Sequence, residues 1–343
     1  MPKTVLVTGA SGFLASYVID AFLSSGWTVH GTVRNVAKSG PLKQRYPDHA
    51  DRLKFFEVKD IVTGDGLAQA LEGCDAVAHT ASPYQLTVSD PMKDFIEPAV
   101  EGTLSVLRAA KAAGIRRIVI TSSFAAVTNF EKGGPWRDYT YTDKDWNPTT
   151  LEQACESGRI GAFVYSASKT LAEKAAHDYA SKNGLSVTTL NPPMIYSPPL
   201  QSISSPEEIN TSSNAIFSLI NGEKGRAPMG NRLPLFCATE DVALAHVRAL
   251  EVDEDKVKGR RFLLCGGSFT WEDAVRHLAQ VHPELKDRLP TLPEQDVDGD
   301  KPIARLDCTP AREILGIDEF RNWKDTLERT IDRLVEVEKG FKK

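Results

Sequence analysis

Sulfur is sparse in this chain, and long apolar runs are missing. The five cysteines, Cys74, Cys155, Cys237, Cys265 and Cys308, are odd in number and widely scattered, which excludes a disulfide framework and paired metal-ligand spacing. They read as buried thiols. Among seven histidines only His277 and His282 are near neighbours, and a five-residue step puts them on poorly matched helix faces, so no metal site is expected. No stretch approaches the roughly 18 apolar residues of a membrane span, and Met1-Pro-Lys-Thr-Val-Leu-Val-Thr-Gly9 is too short an apolar run for a secretory leader. A basic excess is also lacking: 41 Lys and Arg face 46 Asp and Glu, a net charge of −5 with no basic block, which argues against nucleic acid and anionic membrane as partners. A globular, cytoplasmic enzyme of 343 residues is the expectation, with apolar residues enough for one large domain or two smaller ones.

The N-terminal half alternates between two kinds of segment. Thr4 to Thr8 is a short apolar run of the type buried on both faces of a parallel sheet, and it ends at Gly9. Leu14, Tyr17, Val18, Ala21 and Phe22 then recur with helical period until Gly26, a suitable C-terminal cap, and a second strand spans Trp27 to Val33. This is a βαβ unit. Further strands are read at Leu53 to Val58, Ala76 to Thr80, Arg117 to Thr121 and Leu185 to Leu190, which predicts an α/β fold with a Rossmann-type doubly wound parallel sheet. Pro98 either kinks a helix between Asp90 and Gly114 or marks its start. After Pro192-Pro193 the alternation fades into the Ser- and Pro-rich stretch Ser197 to Ser213. Residues 1–197 are therefore assigned to the dinucleotide-binding domain, with 237–266 returning to it through a strand at Arg261 to Cys265. Residues 198–343 form a smaller, discontinuous substrate-binding region with helices at Asn214 to Asn221 and Asp241 to Leu250. Thr270-Trp-Glu-Asp273 reads as a capping box, and Trp323, Leu327, Ile331, Leu334 and Val335 form an amphipathic stripe.

Gly9-Ala-Ser11-Gly12-Phe13-Leu14-Ala15 has G-x-x-G-x-x-A spacing between a strand and a helix. The first glycine permits a tight turn, the second lets backbone amides approach a pyrophosphate, and the helix N-terminus favours the phosphates. Small residues also occur there simply to pack a helix on a strand. After the second strand, where an NAD-preferring chain carries an acid, this one has Thr32-Val33-Arg34-Asn35 with Lys38 beyond. Arg34 can make a bidentate contact with a 2′-phosphate and Lys38 adds charge, which favours NADPH over two merely solvated cations. Asp60, with Ile61 after it, either reaches the adenine or caps a turn. Tyr165 and Lys169 stand four residues apart, about 6 Å along one helix face, where an ammonium favours ionisation of a phenol. Ser122 and Ser123 end the strand Arg117 to Thr121, at the sheet edge where ligands bind, and Ser123 is preferred because alternate residues point oppositely.

Thr8-Gly-Ala-Ser-Gly-Phe-Leu-Ala, His79-Thr-Ala-Ser-Pro83, Thr121-Ser-Ser, Asp145-Trp-Asn147, Tyr165-Ser-Ala-Ser-Lys169 and Asn191-Pro-Pro-Met-Ile-Tyr196 resemble the extended short-chain dehydrogenase/reductase superfamily across nearly the whole chain. Ala15, Arg34 and Asp145-Trp-Asn147 are most similar to fungal NADPH-dependent carbonyl and methylglyoxal reductases, relatives of dihydroflavonol reductases. The resemblance implies that Thr80, Ala81 and Ser82 border the adenosine portion, with Thr121 also near the cofactor. It further implies that Lys169 bonds the nicotinamide ribose, and that backbone near Pro192 and Ile195 orients the ring. Hydride would pass to an aldehyde or ketone held by Ser123 while Tyr165 donates the proton. Ser197 departs from the pattern, standing where relatives commonly have glycine.

Two other readings compete with this one. A sugar-nucleotide dehydratase needs an acidic pair after the hydroxyl residue, but Phe124-Ala-Ala126 follows Ser123, and an epimerase retaining NAD fits poorly with Arg34. A non-catalytic NADP-binding redox sensor has no use for the Ser, Tyr and Lys. Phe124, Phe130, Val164 and Tyr196 adjoin these residues in sequence and are candidates for an apolar substrate pocket, each with ordinary core as its alternative. Trp136 and Trp146 are expected to pack the excursion between Ser123 and Tyr165 onto the body. Monomer and homodimer both stay open.

Overall fold

Val5, Leu6 and Val7 are fully buried, as a strand covered on both faces requires. The computed structural model describes residues 2–82, 90–156, 158, 161–294, 298–299 and 301–341, with the Lys38 side chain and Pro83 outside that set. Seven strands build one parallel sheet: β1 (Thr4–Thr8), β2 (Thr28–Val33), β3 (Leu53–Glu57), β4 (Ala76–His79), β5 (Arg117–Thr121), β6 (Ser186–Asn191) and β7 (Arg261–Leu263). Their spatial order is β7-β6-β5-β4-β1-β2-β3. The order reverses at β1, whose register sets Thr8 against His79 of β4, so the loops leaving these two strands flank one crevice.

Helices cover both faces. α1 (Phe13–Ser24) buries Val18, Ile19, Phe22 and Leu23 and stops before Gly26, which takes the left-handed φ of +85° that ends a helix cleanly. α2 (Glu97–Ala112) carries Pro98 in its first turn, and the proline marks the start of regular helix after a wider turn at Met92–Ile96. α3 (Gly161–Asn183) packs beside α2, and α4 (Thr239–Glu251) beside α1.

One apolar core joins α1 and α4 through Phe22, Val29, Val242 and Phe262, and a second on the opposite face joins α2 and α3 through Leu6, Val77, Val106 and Ala176. β7 pairs with β6 at the sheet edge, α4 packs on α1, and Ala311, Leu315 and Ile317 join the first core as well. A separate core gathers Phe217, Phe236, Trp271, Leu327, Ile331 and Leu334, carried largely by α5 (Trp271–Val281) and α6 (Trp323–Lys339). The capping box at the head of α5 is reciprocal: Asp273 N–H donates to Thr270 Oγ1 at 3.1 Å, and Thr270 N–H to Asp273 Oδ2 at 3.0 Å. The expected helix from Asn214 to Asn221 is observed as Thr211–Phe217, followed by turns. All five cysteines are free, but only Cys237 and Cys308 are buried; Cys155 is exposed, and Cys74 and Cys265 are half-buried. No described helix is long and apolar enough to cross a membrane.

Candidate active site

The crevice at the C-terminal ends of β1 and β4 is built by two threonines. Thr32 Oγ1 accepts from Gly9 N–H at 3.0 Å, and Thr32 O accepts from Ala10 N–H at 2.8 Å, which pins the glycine loop to β2. Thr8 Oγ1 accepts from the N–H groups of both Thr80 and Ala81, each at 3.1 Å. With both lone pairs used, the Thr8 hydroxyl has its proton left for His79 Nδ1 at 2.8 Å. His79 is therefore neutral; burial, aided by the charge of Lys169, pushes it down to about 3.

Gly9 adopts φ +69°, and a Cβ there would lie 3.1 Å from the Cβ of Ala81, so a side chain is opposed by both the backbone and its neighbour. Gly12 is the N-cap of α1 and provides no side-chain cap, with no acid in the first turn. The first-turn amides of this twelve-residue helix can thus meet an anion. These features fit a dinucleotide pyrophosphate.

Tyr165 is half-buried on α3, and Lys169 Nζ lies 5.8 Å from its ring centroid. Lys169 itself is buried and donates to Thr121 O at 3.5 Å. Desolvation pulls its pKa down to about 8, opposed by the nearby carboxylate of Glu173. The turn Phe124–Ala126 packs against α3, which carries Ser123 to the helix holding Tyr165 and Lys169.

The two serines divide cleanly. Ser122 is buried and donates its hydroxyl to Glu173 Oε2 at 2.5 Å. Ser123 is half-buried, and its Oγ accepts from Ala125 N–H at 3.1 Å, which leaves it a proton and a lone pair for a substrate oxygen. Ile61, His79, Ala81, Ser82, Thr121 and Lys169 line one shared pocket.

The other expected residues have varied surroundings. His246 Nδ1 bonds Val242 O at 2.8 Å, so its Nε2 accepts the Thr121 hydroxyl at 2.7 Å; only the carbonyl of Thr121 faces the lysine. Asp60 is exposed and caps a turn, accepting from Val62 N–H at 2.8 Å. The Pro192 carbonyl accepts from Phe124 N–H at 2.8 Å, and Ile195 packs against the first core. Arg34 is exposed at the end of β2. Of the apolar pocket candidates, three are core: Phe124 packs edge-on to Tyr141, Val164 is fully buried, and Tyr196 sits among Phe236, Phe269 and Trp271. Phe130, 44% exposed, still has surface to offer. Ser197 is buried with its hydroxyl on Glu240 and accepts from Thr239 N–H, so a serine is accommodated at that turn.

Sequence reasoning passed over Glu173 and Arg261, an ion pair at 2.7 Å with side chains 1% and 6% exposed. The spacing of Glu173, four residues beyond Lys169 and eight beyond Tyr165, was the available signal. The Arg261 guanidinium lies over the Trp146 ring, 3.6 Å from its centroid, and Trp136 Nε1 donates to Asn231 O at 2.9 Å, which ties Trp136 and Trp146 to the body.

Residues 5–265 match the model of the NAD dependent epimerase/dehydratase family. A putative NADPH-dependent methylglyoxal reductase of Candida albicans is 32% identical over 344 residues, 97% of this chain and 98% of that protein. The ketoreductase azaE of Aspergillus niger is 32% identical over 349 residues, 98% of each. Among solved structures, yeast methylglyoxal/isovaleraldehyde reductase complexed with NADPH superposes with a TM-score of 0.85 at 27% identity, covering 98% of this chain and 100% of that one.

Proposed function

Because the chain belongs to the NAD dependent epimerase/dehydratase family, we propose that it is an NADPH-dependent carbonyl reductase, converting an aldehyde or ketone to an alcohol. The reading is supported by the Lys169 ammonium, 5.8 Å from the Tyr165 ring on one helix and lining the pocket at the ends of β1 and β4, together with a glycine loop at that edge that leaves no room for a side chain. Gly9, Ser11, Gly12, Phe13 and Leu14 would hold the pyrophosphate, Arg34 with Lys38 the 2′-phosphate, and Lys169 the nicotinamide ribose.

When bound, NADPH supplies the hydride that reaches the carbonyl carbon. Ser123 holds the carbonyl oxygen by its hydroxyl, and Tyr165 transfers its phenolic proton to that oxygen as negative charge develops. An unperturbed tyrosine, with a pKa near 10, gives up its proton reluctantly at neutral pH. The buried ammonium of Lys169 lowers that cost, since its charge beside the ring stabilises the phenolate in a poorly solvated place. This reading carries a small-molecule carbonyl as partner, a cytoplasmic setting, and no nucleic acid or membrane.

The test is an NADPH-oxidation screen over small dicarbonyls, aryl ketones, ketoesters and flavonoid ketones. Turnover with at least one class is expected. NADPH binding without oxidation by any of them would overturn the assignment and favour a redox sensor.

A further inference from the structure

Glu173 holds a charge where water does not reach. Its carboxylate is fully partnered: Oε2 accepts the Ser122 hydroxyl at 2.5 Å and Asn191 Nδ2 at 2.8 Å, and Oε1 accepts the Thr189 hydroxyl and Arg261 Nε, each at 2.7 Å. Four donors fill the roughly four lone-pair positions of a carboxylate. Stability alone explains such a pair poorly, because a buried ion pair is often no better than the apolar residues that could replace it.

Its partners are the framework of the catalytic residues. Ser122 precedes Ser123, and the Asn191 amide that bonds Glu173 also donates to Ser123 O at 3.2 Å. Glu173 itself stands one turn beyond Lys169 and two beyond Tyr165 on α3. Arg261 extends the network to Asp143 O and Asp145 O, at 3.0 and 2.5 Å, in the excursion that joins Ser123 to Tyr165. Resting on the reductase reading above, we propose that Glu173 is a positioning residue: its carboxylate locks the strand end bearing Ser123 to the helix face bearing Tyr165 and Lys169, and its charge supports the buried ammonium.

The charge balance around the lysine gives this proposal a distinctive readout. Arg261 enters from β7 as a cation; His79 from β4, His177 on α3 and His246 from α4 are all held toward the neutral form by burial. Glu173 supplies negative charge beside Lys169. Removing it takes away the charge that holds the Lys169 proton on, so Lys169 loses that proton at lower pH.

The experiment compares wild type with Glu173→Gln at saturating NADPH and carbonyl substrate, with NADPH affinity measured separately by fluorescence titration. The expected result is an unchanged Kd for NADPH, a kcat lower by about 100-fold, and an alkaline limb of the kcat profile moved down by about one pH unit. A folded Glu173→Gln enzyme with wild-type kcat and pH profile would overturn the proposal. Should that variant not fold, Ser122→Ala decides: it removes one strut but keeps the charge pair. Its kcat should fall severalfold with an unshifted pH limb, and wild-type kcat would overturn the proposal. If wild type itself oxidises no NADPH, the reductase reading fails instead.

Discussion

Replacing Arg34 with alanine should weaken NADPH while leaving NADH untouched. Arg34 follows β2 directly, is exposed, and has no hydrogen bond or ion pair among the described residues, so its loss takes nothing from the fold. The nearest acid in the sheet register is Glu57, opposite Val33; it accepts from Val36 N–H at 3.3 Å and pairs with Lys59 at 3.6 Å. That carboxylate is therefore partly neutralised and does not cancel the arginine. A hydrogen bond to a charged group contributes about 1.5–3 kcal/mol, and exposure selects the lower half of that range. At about 1.4 kcal/mol per decade, Arg34→Ala should raise the Kd for NADPH by roughly 10- to 40-fold. Fluorescence titration of both cofactors reads the effect. The wild-type preference should also shrink as salt rises, since exposed charges are screened over about 10 Å at 0.1 M. Equal weakening of NADH and NADPH, or no weakening of either, would refute the assignment of Arg34 to the 2′-phosphate.

Gly9→Ala forces a Cβ into a left-handed position, at a cost of about 1–2 kcal/mol before contact with Ala81 is counted; NADPH affinity should fall about tenfold by titration, and a wild-type Kd would contradict the fit of this loop to pyrophosphate. Lys169, held near pKa 8, loses its proton as pH rises through that value, so carbonyl reduction should decline above about pH 8 in a rate profile, and Lys169→Met should be slow throughout. The same shift has a stability consequence. The folded value lies below the ordinary 10.5, so the unfolded chain binds more protons between the two; the lysine's contribution to stability therefore rises from about pH 8 to 10.5. Urea midpoints of wild type relative to Lys169→Met should rise across that window, and parallel curves would show that the ammonium is not desolvated.

The first βαβ unit was legible because its opening strand reads as an apolar run and because Gly9 and Gly26 punctuate the helix that follows. Tyr165 and Lys169 were legible because a four-residue step on one helix is a local fact. What holds them was not. Glu173 meets Arg261 across 88 positions of chain, and no local pattern announces a partner that only the return of β7 to the sheet creates. The roles of Thr8 and Thr32 were hidden similarly, since threonine in a strand is ordinary until its hydroxyl is seen accepting loop amides. On the substrate side the sequence left pocket and core open for each residue. Phe124 and Tyr196 adjoin Ser123 and the Pro192–Ile195 segment in sequence, but adjacency does not say which face a side chain takes, and both turn inward. Thr121 was placed at the right strand end, yet its hydroxyl is claimed by His246, a residue 125 positions away.

The most direct measurement is turnover and NADPH affinity of Tyr165→Phe, which deletes one hydroxyl and keeps the ring beside Lys169. The account predicts a wild-type Kd for NADPH with carbonyl reduction slowed by about 10²- to 10⁴-fold, the range of general acid catalysis. Reduction at the wild-type rate would show that the proton comes from another group and would remove Tyr165 from the mechanism.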